Sequence, residues 1–191
     1  MVGARLALQA TNDEARSRMP AAVLLREPRP VDHLEMAALI ETLIPRYLAR
    51  DLTAEGIALV RENADAGVIG ARLGGLRYPP WSPAFVAVAG SRVVGFGAAR
   101  NRTHITQIQV AEDWHGRGIG RRLAAALVDE IRRRDPATTV VTLNAAVGAL
   151  VAYLRMGFVP VGPRFTWRGI AAQPMVLRID PNQGMAAIDL R

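Results

Sequence analysis

The spacing of apolar residues changes repeatedly along the chain, and each change predicts a new element. "AVLLREP" reads as a first strand. Asp32, with Glu35 three residues later, has the form of a capping box for a helix that buries Met36, Leu39, Ile40 and Leu43. A second helix is expected after Thr53, and "YPPWSP" stiffens the chain over residues 78–83. "AFVAVAG" and "VVGFGAAR" read as two strands around a turn at Gly90 and Ser91, and "HITQIQV" as a third. Three strands with short connections imply an antiparallel meander.

Further on, Ile119, Leu123, Leu127, Val128 and Ile131 recur at helical spacing, and "TTVVTLN" reads as a buried strand. A strand, a helix and a second strand in that order make a crossover to a parallel neighbour. A short helix over residues 147–155 carries Leu150, Val151 and Leu154, and strands near "FVPVG" and "QPMVLRI" close the domain. The order β-α-α-β-β-β-α-β-α-β-β implies an α/β fold, a mixed and mostly antiparallel sheet of about six to seven strands flanked by about four helices. Residues 1–22 and 183–191 read as tails around a single domain over residues 23–182, with Met19 a candidate natural start.

Composition narrows the chemistry. A chain of 191 residues, 50% apolar, can bury a core without staples. It has no cysteine, which removes disulfides, thiolate metal sites and a covalent cysteine nucleophile. His33, His104 and His115 are scattered, so no metal site is expected. No apolar run reaches the roughly 18 residues of a membrane span, and "MVGARLALQA" has too short an apolar centre for a secretory signal. A soluble cytoplasmic protein with no membrane partner is expected. The net charge of +7 invites a nucleic-acid reading, yet every basic residue is arginine, as a GC-rich, bacterial type of coding bias would give. The arginines are dispersed. Their one cluster, Arg132, Arg133 and Arg134, falls where a helix should end and its dipole favours cations, so no nucleic-acid partner is expected.

The stretch "VAEDWHGRGIGRRL" sets glycines at positions 116, 118 and 120 between a strand and a helix. Amides at a helix start point at one spot with partial positive charge, and glycine lets a ligand approach them, so the natural guest is a phosphate. Arg117, Arg121 and Arg122 would add charge there, which suits a pyrophosphate. The P-loop pattern is missing, the glycine spacing is not that of the dinucleotide fingerprint, and the next strand ends in Asn144 where that fingerprint wants an acid.

The run His115-Gly116-Arg117-Gly118-Ile119-Gly120 resembles the signature of the GNAT superfamily of acyl-CoA-dependent N-acyltransferases. "LNAAVGALVAYLRMGFVPVG" is similar to the family's second signature, an aromatic residue followed by a Gly-Phe pair, and the resemblance covers residues 23–179. His115 departs from it, standing where the family usually has Gln or Arg. The resemblance implies a GNAT-like sheet with a splayed parallel pair in the middle and acetyl-CoA as acyl donor, with no metal. It also implies main-chain contacts from Ile108, Gln109 and Val110 to the pantetheine arm and pyrophosphate binding by His115, Gly116, Arg117, Gly118, Ile119, Gly120 and Arg121. Tyr153 would serve the leaving thiolate, by protonating it or by a hydrogen bond, or its ring merely packs. Asn144 would hold the pantetheine amide or simply end its strand. For the base, the resemblance points to His104, which stands where the histone-modifying branch carries a glutamate, or else His104 is simply satisfied at a strand end; strand alternation would place it on one face with Thr106, Ile108 and Val110. Glu112 is the alternative base, or a surface carboxylate.

The acceptor pocket would form between the first helices and the loop over residues 162–173, which holds Arg164, Phe165 and Trp167, with Trp81 nearby. Asp51, Glu55, Glu62 and Asp65 either attract a cationic amine or form a solvated helix face. The first expectation is transfer of acetyl to a primary amine of a small molecule or a peptide. The others are a catalytically silent acyl-CoA sensor, a nucleotide-dependent oxidoreductase and a basic nucleic-acid binder. The acceptor, the acyl-chain length and pairing into a homodimer through a sheet edge stay open.

Overall fold

A computed structural model of the chain describes residues 22–45, 51–77 and 79–179. The tails expected over 1–22 (Ala22 apart) and 183–191, the start at Met19, and Tyr78 of the proline-rich loop lie outside the described residues.

The strands are β1 (Val23–Arg26), β2 (Ala84–Ala89), β3 (Arg92–Arg100), β4 (His104–Val110), β5 (Val140–Ala145), β6 (Val159–Pro160), β7 (Phe165–Trp167) and β8 (Ile170–Arg178). The helices are α1 (His33–Leu43), α2 (Ala54–Asn63), α3 (Ala66–Leu73), α4 (Ile119–Arg134) and α5 (Leu150–Leu154). The sheet runs β1-β2-β3-β4-β5-β8-β6, with β7 attached to β8 off that path. Every pairing is antiparallel except β4 with β5.

Helices cover both faces. On one, α1 buries Met36, Leu39, Ile40 and Leu43, as its spacing predicts, against Val86, Val88, Phe96 and Ala98 of the sheet, with Ile69 and Trp81 beside them. On the other, α4 buries Ile119, Leu123, Leu127, Val128 and Ile131. This double covering explains why β3 is buried continuously from Val93 to Ala99. α4 ends in Arg132, Arg133 and Arg134, and the last two pair with Glu130 at 2.7 and 2.8 Å. The arginine cluster is therefore a helix terminus.

Three local expectations are corrected. Asp32 does not cap α1. Its carboxylate receives Arg26 Nη1 and Nη2 at 2.6 and 2.9 Å and the Arg29 amide at 2.6 Å, while Glu35 Oε2 accepts the Val93 amide at 2.7 Å. A bidentate guanidinium is the stronger partner, so Asp32 locks the corner between β1 and α1 instead. In α5, Leu150 and Tyr153 pack on the core, whereas Val151 and Leu154 are 58% and 44% exposed. The expected loop over 162–173 contains a hairpin, β7 and the start of β8, turned by Arg168 (φ 46°) and Gly169 (φ 75°). Two consecutive positive φ values match the twist of such a hairpin. α3 is a further element, started by Asp65, whose side chain accepts the Val68 amide at 2.9 Å.

No helix of the described residues is long and apolar enough to cross a membrane, and none of their acidic and histidine side chains gather into a group of three that could hold a metal ion.

Candidate active site

β4 and β5 stay paired only where His104 faces Thr142 and Ile105 faces Leu143. Beyond that point β4 bonds to β3 alone, and its other edge is open. The cause lies across the sheet, where Ala98 pairs with Gln107 and Ala99 with Ile105, so that Thr106 is left over. An extra residue of this kind bends and twists its strand. It also shifts the side-chain phase. His104 shares its face with Gln107 and Gln109, whose amides meet at 3.0 Å. Ile105, Ile108 and Val110 face α4. The expectation that His104, Thr106, Ile108 and Val110 lie on one face is thus overturned by the bulge.

The splay opens a cleft of about 1210 Å³ that runs from the glycine turn to α2 and α3. Ile108, Gln109 and Val110 line its middle. At the turn, Gly116 and Gly118 adopt φ values of 74° and 75°, a left-handed backbone that side chains with a Cβ disfavour. Both positions are open to their surroundings. α4 starts directly after Gly118, so the first amides of the helix lack helical partners, and Gly116, Gly118, Ile119, Gly120 and Arg121 all line the cleft. His115 also lines it, its Nε2 2.8 Å from the Val110 carbonyl, which ties the turn back to β4. The Arg117 guanidinium lies 4.6 Å over the Trp114 ring. Arg122 does not join this group, because it donates to the Val23 carbonyl at 2.8 Å.

Past the turn, Asn144 and Tyr153 line the cleft from β5 and α5. The Tyr153 ring meets Phe158 edge-on at 5.9 Å, and burial pushes its phenol up to about 12. His104 lines the same cleft, with Nδ1 2.8 Å from Thr142 Oγ1. Burial, followed by the nearby Arg100 charge, holds its pKa below the ordinary imidazole value. Glu112 is not brought to this place; it is exposed in the turn after β4 and borders a separate shallow depression with Glu35 and Arg92.

The far end of the cleft is formed by α2, α3, the 79–81 segment and the β7–β8 hairpin, with Trp81, Phe165 and Trp167 among its walls. Of the four acids, Glu62 pairs with Arg77 at 2.6 Å, Glu55 with Arg168 at 3.7 Å, and Asp65 caps α3. Asp51 is buried and accepts the Gly148 amide at 3.1 Å. Sequence reasoning missed Thr142, Trp114, Arg72 and Arg100. Only Thr142 carried a signal, since it lies two residues before Asn144 on a strand.

Residues 81–179 match the family model described as an acetyltransferase (GNAT) domain. The chain belongs to the GNAT acetyltransferase family. Solved structures agree on the fold. A GCN5-related N-acetyltransferase from Rhodopseudomonas palustris is 24% identical, with a TM-score of 0.70 over 85% of this chain and 99% of that one. The PaiA N-acetyltransferase of Thermoplasma acidophilum, in complex with coenzyme A, is 13% identical, with a TM-score of 0.68 over 83% and 99%. YncA of Salmonella typhimurium, a structure with its cofactor acetyl-CoA, is 16% identical, with a TM-score of 0.55 over 87% and 99%. No curated protein matches the chain. The GNAT match begins at Trp81 and ends at Ile179, so it takes in the splay, the glycine turn and Tyr153. α1, α2 and α3, which wall the far end of the cleft, lie outside it. The protein is an acyl-CoA-dependent acetyltransferase by family.

Proposed function

We propose that this protein moves the acetyl group of acetyl-CoA directly to a primary amine while both are bound. One observation carries the reading: the open edge of β4 leads without interruption from the amides of the glycine turn, past Tyr153, to His104 in a single cleft. The first amides of α4, with Arg117 and Arg121, suit a pyrophosphate. The unpaired edge of β4 offers the pantetheine arm the hydrogen bonds of a missing strand, with Asn144 across the gap. The main chain of Ile108, Gln109 and Val110 also supplies donors for the oxyanion that forms when the amine attacks the thioester carbon.

His104 serves as the base. With Nδ1–H donating to Thr142 Oγ1, Nε2 keeps the lone pair that takes the proton of the incoming amine. As the carbon–sulfur bond breaks, Tyr153 faces the departing sulfur. A thiol with a pKa of about 8.5 is a stronger acid than a phenol raised to about 12, so Tyr153 steadies the thiolate with a donated hydrogen bond and keeps its proton.

Calorimetric titration with acetyl-CoA, NAD and short duplex DNA tests the donor site, with binding of about micromolar strength expected for acetyl-CoA alone. An amine panel followed by release of free thiol then tests transfer. Acetyl-CoA binding with no thiol release from any amine would make the protein a silent acyl-CoA sensor.

A further inference from the structure

The acceptor end of the cleft holds more positive charge than its carboxylates answer. Arg72, Arg77 and Arg100 line the cleft with two carboxylates, Glu62, which pairs with Arg77, and Asp51, which accepts the Gly148 amide. Arg72 is held by neutral partners: Nη2 donates to Asn63 Oδ1 at 2.7 Å, Nη1 donates to the Pro79 carbonyl at 3.0 Å, and the guanidinium lies 5.5 Å over the Trp81 ring. These contacts fix the cation in place without cancelling it. Arg100 ends β3 directly opposite His104.

Among the described residues no carboxylate pairs with Arg72 or Arg100. The Nε of each is buried without a hydrogen-bond partner. Burial, followed by the neighbouring Arg77 and Arg100 charges, pulls the Arg72 pKa down against the opposing Glu62 charge. Buried polar groups and charges are costly unless something pairs with them. A ligand anion between the two guanidinium groups would pair with both positive charges.

We propose that Arg100 and Arg72 form an anion slot, so that the acceptor is a small primary amine that also carries a carboxylate or a phosphate monoester. The inference rests on the amine-transfer reading above. Antiparallel partners stand about 5 Å apart at Cα, so an amine presented to His104 has Arg100 beside it. An acceptor whose amine and anion are separated by a few bonds spans the two groups.

The test uses the full chain, saturating acetyl-CoA and matched pairs, alanine against alaninamide and phosphoethanolamine against ethanolamine, with thiol release as readout. The anionic member of at least one pair is expected to have a kcat/KM higher by about ten- to a hundredfold, the range of a charge-assisted contact. The pair that shows the preference tells carboxylate from phosphate. Arg100→Gln should collapse the preference, and Arg100→Lys should retain part of it. Equal use of both members by the wild type, or a preference that survives Arg100→Gln, overturns the slot. Calorimetry with alanine and phosphoethanolamine in the presence of coenzyme A separates the two readings. An anionic amine that binds but releases no thiol keeps the slot and removes amine transfer. Preferential turnover of neutral amines removes the slot and keeps transfer, and failure of all anionic probes to bind or react also removes the slot.

Discussion

His104 and Thr142 meet at 2.8 Å across one of the two residue pairs that join β4 to β5 before the strands part. The contact sits at the apex of the cleft, and the same register that opens the cleft holds the imidazole at its end. On the proposed mechanism Thr142 is a positioning residue: with its hydroxyl accepting from Nδ1–H, Nε2 of His104 is left with the lone pair that the base needs.

Because burial and Arg100 lower the His104 pKa, the acidic limb of kcat/KM is expected below about 6.5, the ordinary imidazole value. The sign follows from the charge: protonated His104 is disfavoured beside Arg100, so the base is free at a lower pH than usual. The same displacement means that the unfolded chain binds more protons between the two pKa values, so stability contributed by neutral His104 is lost as pH falls below about 6.5. His104→Gln should remove both effects and slow turnover by about a hundredfold, within the range for a general base. Thr142→Val should lower kcat with unchanged acetyl-CoA affinity, and Thr142→Ser should restore it. An unaltered pH–rate profile in His104→Gln would pass the base to water.

Tyr153→Phe keeps the ring against Phe158 and removes only the hydroxyl. Turnover should fall by about ten- to a hundredfold while the calorimetric affinity for acetyl-CoA stays within about twofold. With a phenol near 12, no basic limb from Tyr153 should appear below about pH 10. Undiminished turnover would leave Tyr153 a packing residue.

The elements that were legible in the sequence are those whose physics is local. Ile119, Leu123, Leu127 and Ile131 announce α4 by their period, and Gly116 and Gly118 announce the turn because the backbone there is left-handed. The bulge at Thr106 left no trace, since a threonine is at home in any strand and the misfit exists only against Ala98 and Ala99. The phase error for His104 followed from it. The Arg168-Gly169 turn lacks the asparagine or aspartate that usually flags such hairpins. Arg72 and Arg100 were invisible for a different reason: an arginine is informative only once its partners are known, and those lie far away in sequence.

Trp114 holds Arg117 over its ring at the entrance of the glycine turn, an exposed cation–π contact worth about 0.5–1 kcal/mol. Trp114→Ala should therefore weaken acetyl-CoA binding by about two- to fivefold, with kcat nearly unchanged. Gly118→Leu should abolish binding, because the side chain would occupy a left-handed position at the mouth of the helix. Binding that survives Gly118→Leu would mean that the turn holds something other than the pyrophosphate.

The β7–β8 hairpin is held to α2 at a place where no side chain fits. A Cβ on Gly56 would run into the Gly169 carbonyl, whose oxygen accepts the Thr53 amide at 2.8 Å, and Leu52 bridges to Ile170 beside it. Phe165 and Trp167 on that hairpin wall the end of the cleft proposed to take the acceptor, while the glycine turn lies at the other end. Gly56→Val should push the hairpin away and cost about 1–3 kcal/mol of stability, as overpacking does. The acceptor KM should rise several-fold while acetyl-CoA affinity holds. Measuring both constants on the same preparation decides the matter: if the donor affinity falls in step with the acceptor KM, the substitution has disturbed the whole domain, and the hairpin has no separate part in holding the acceptor.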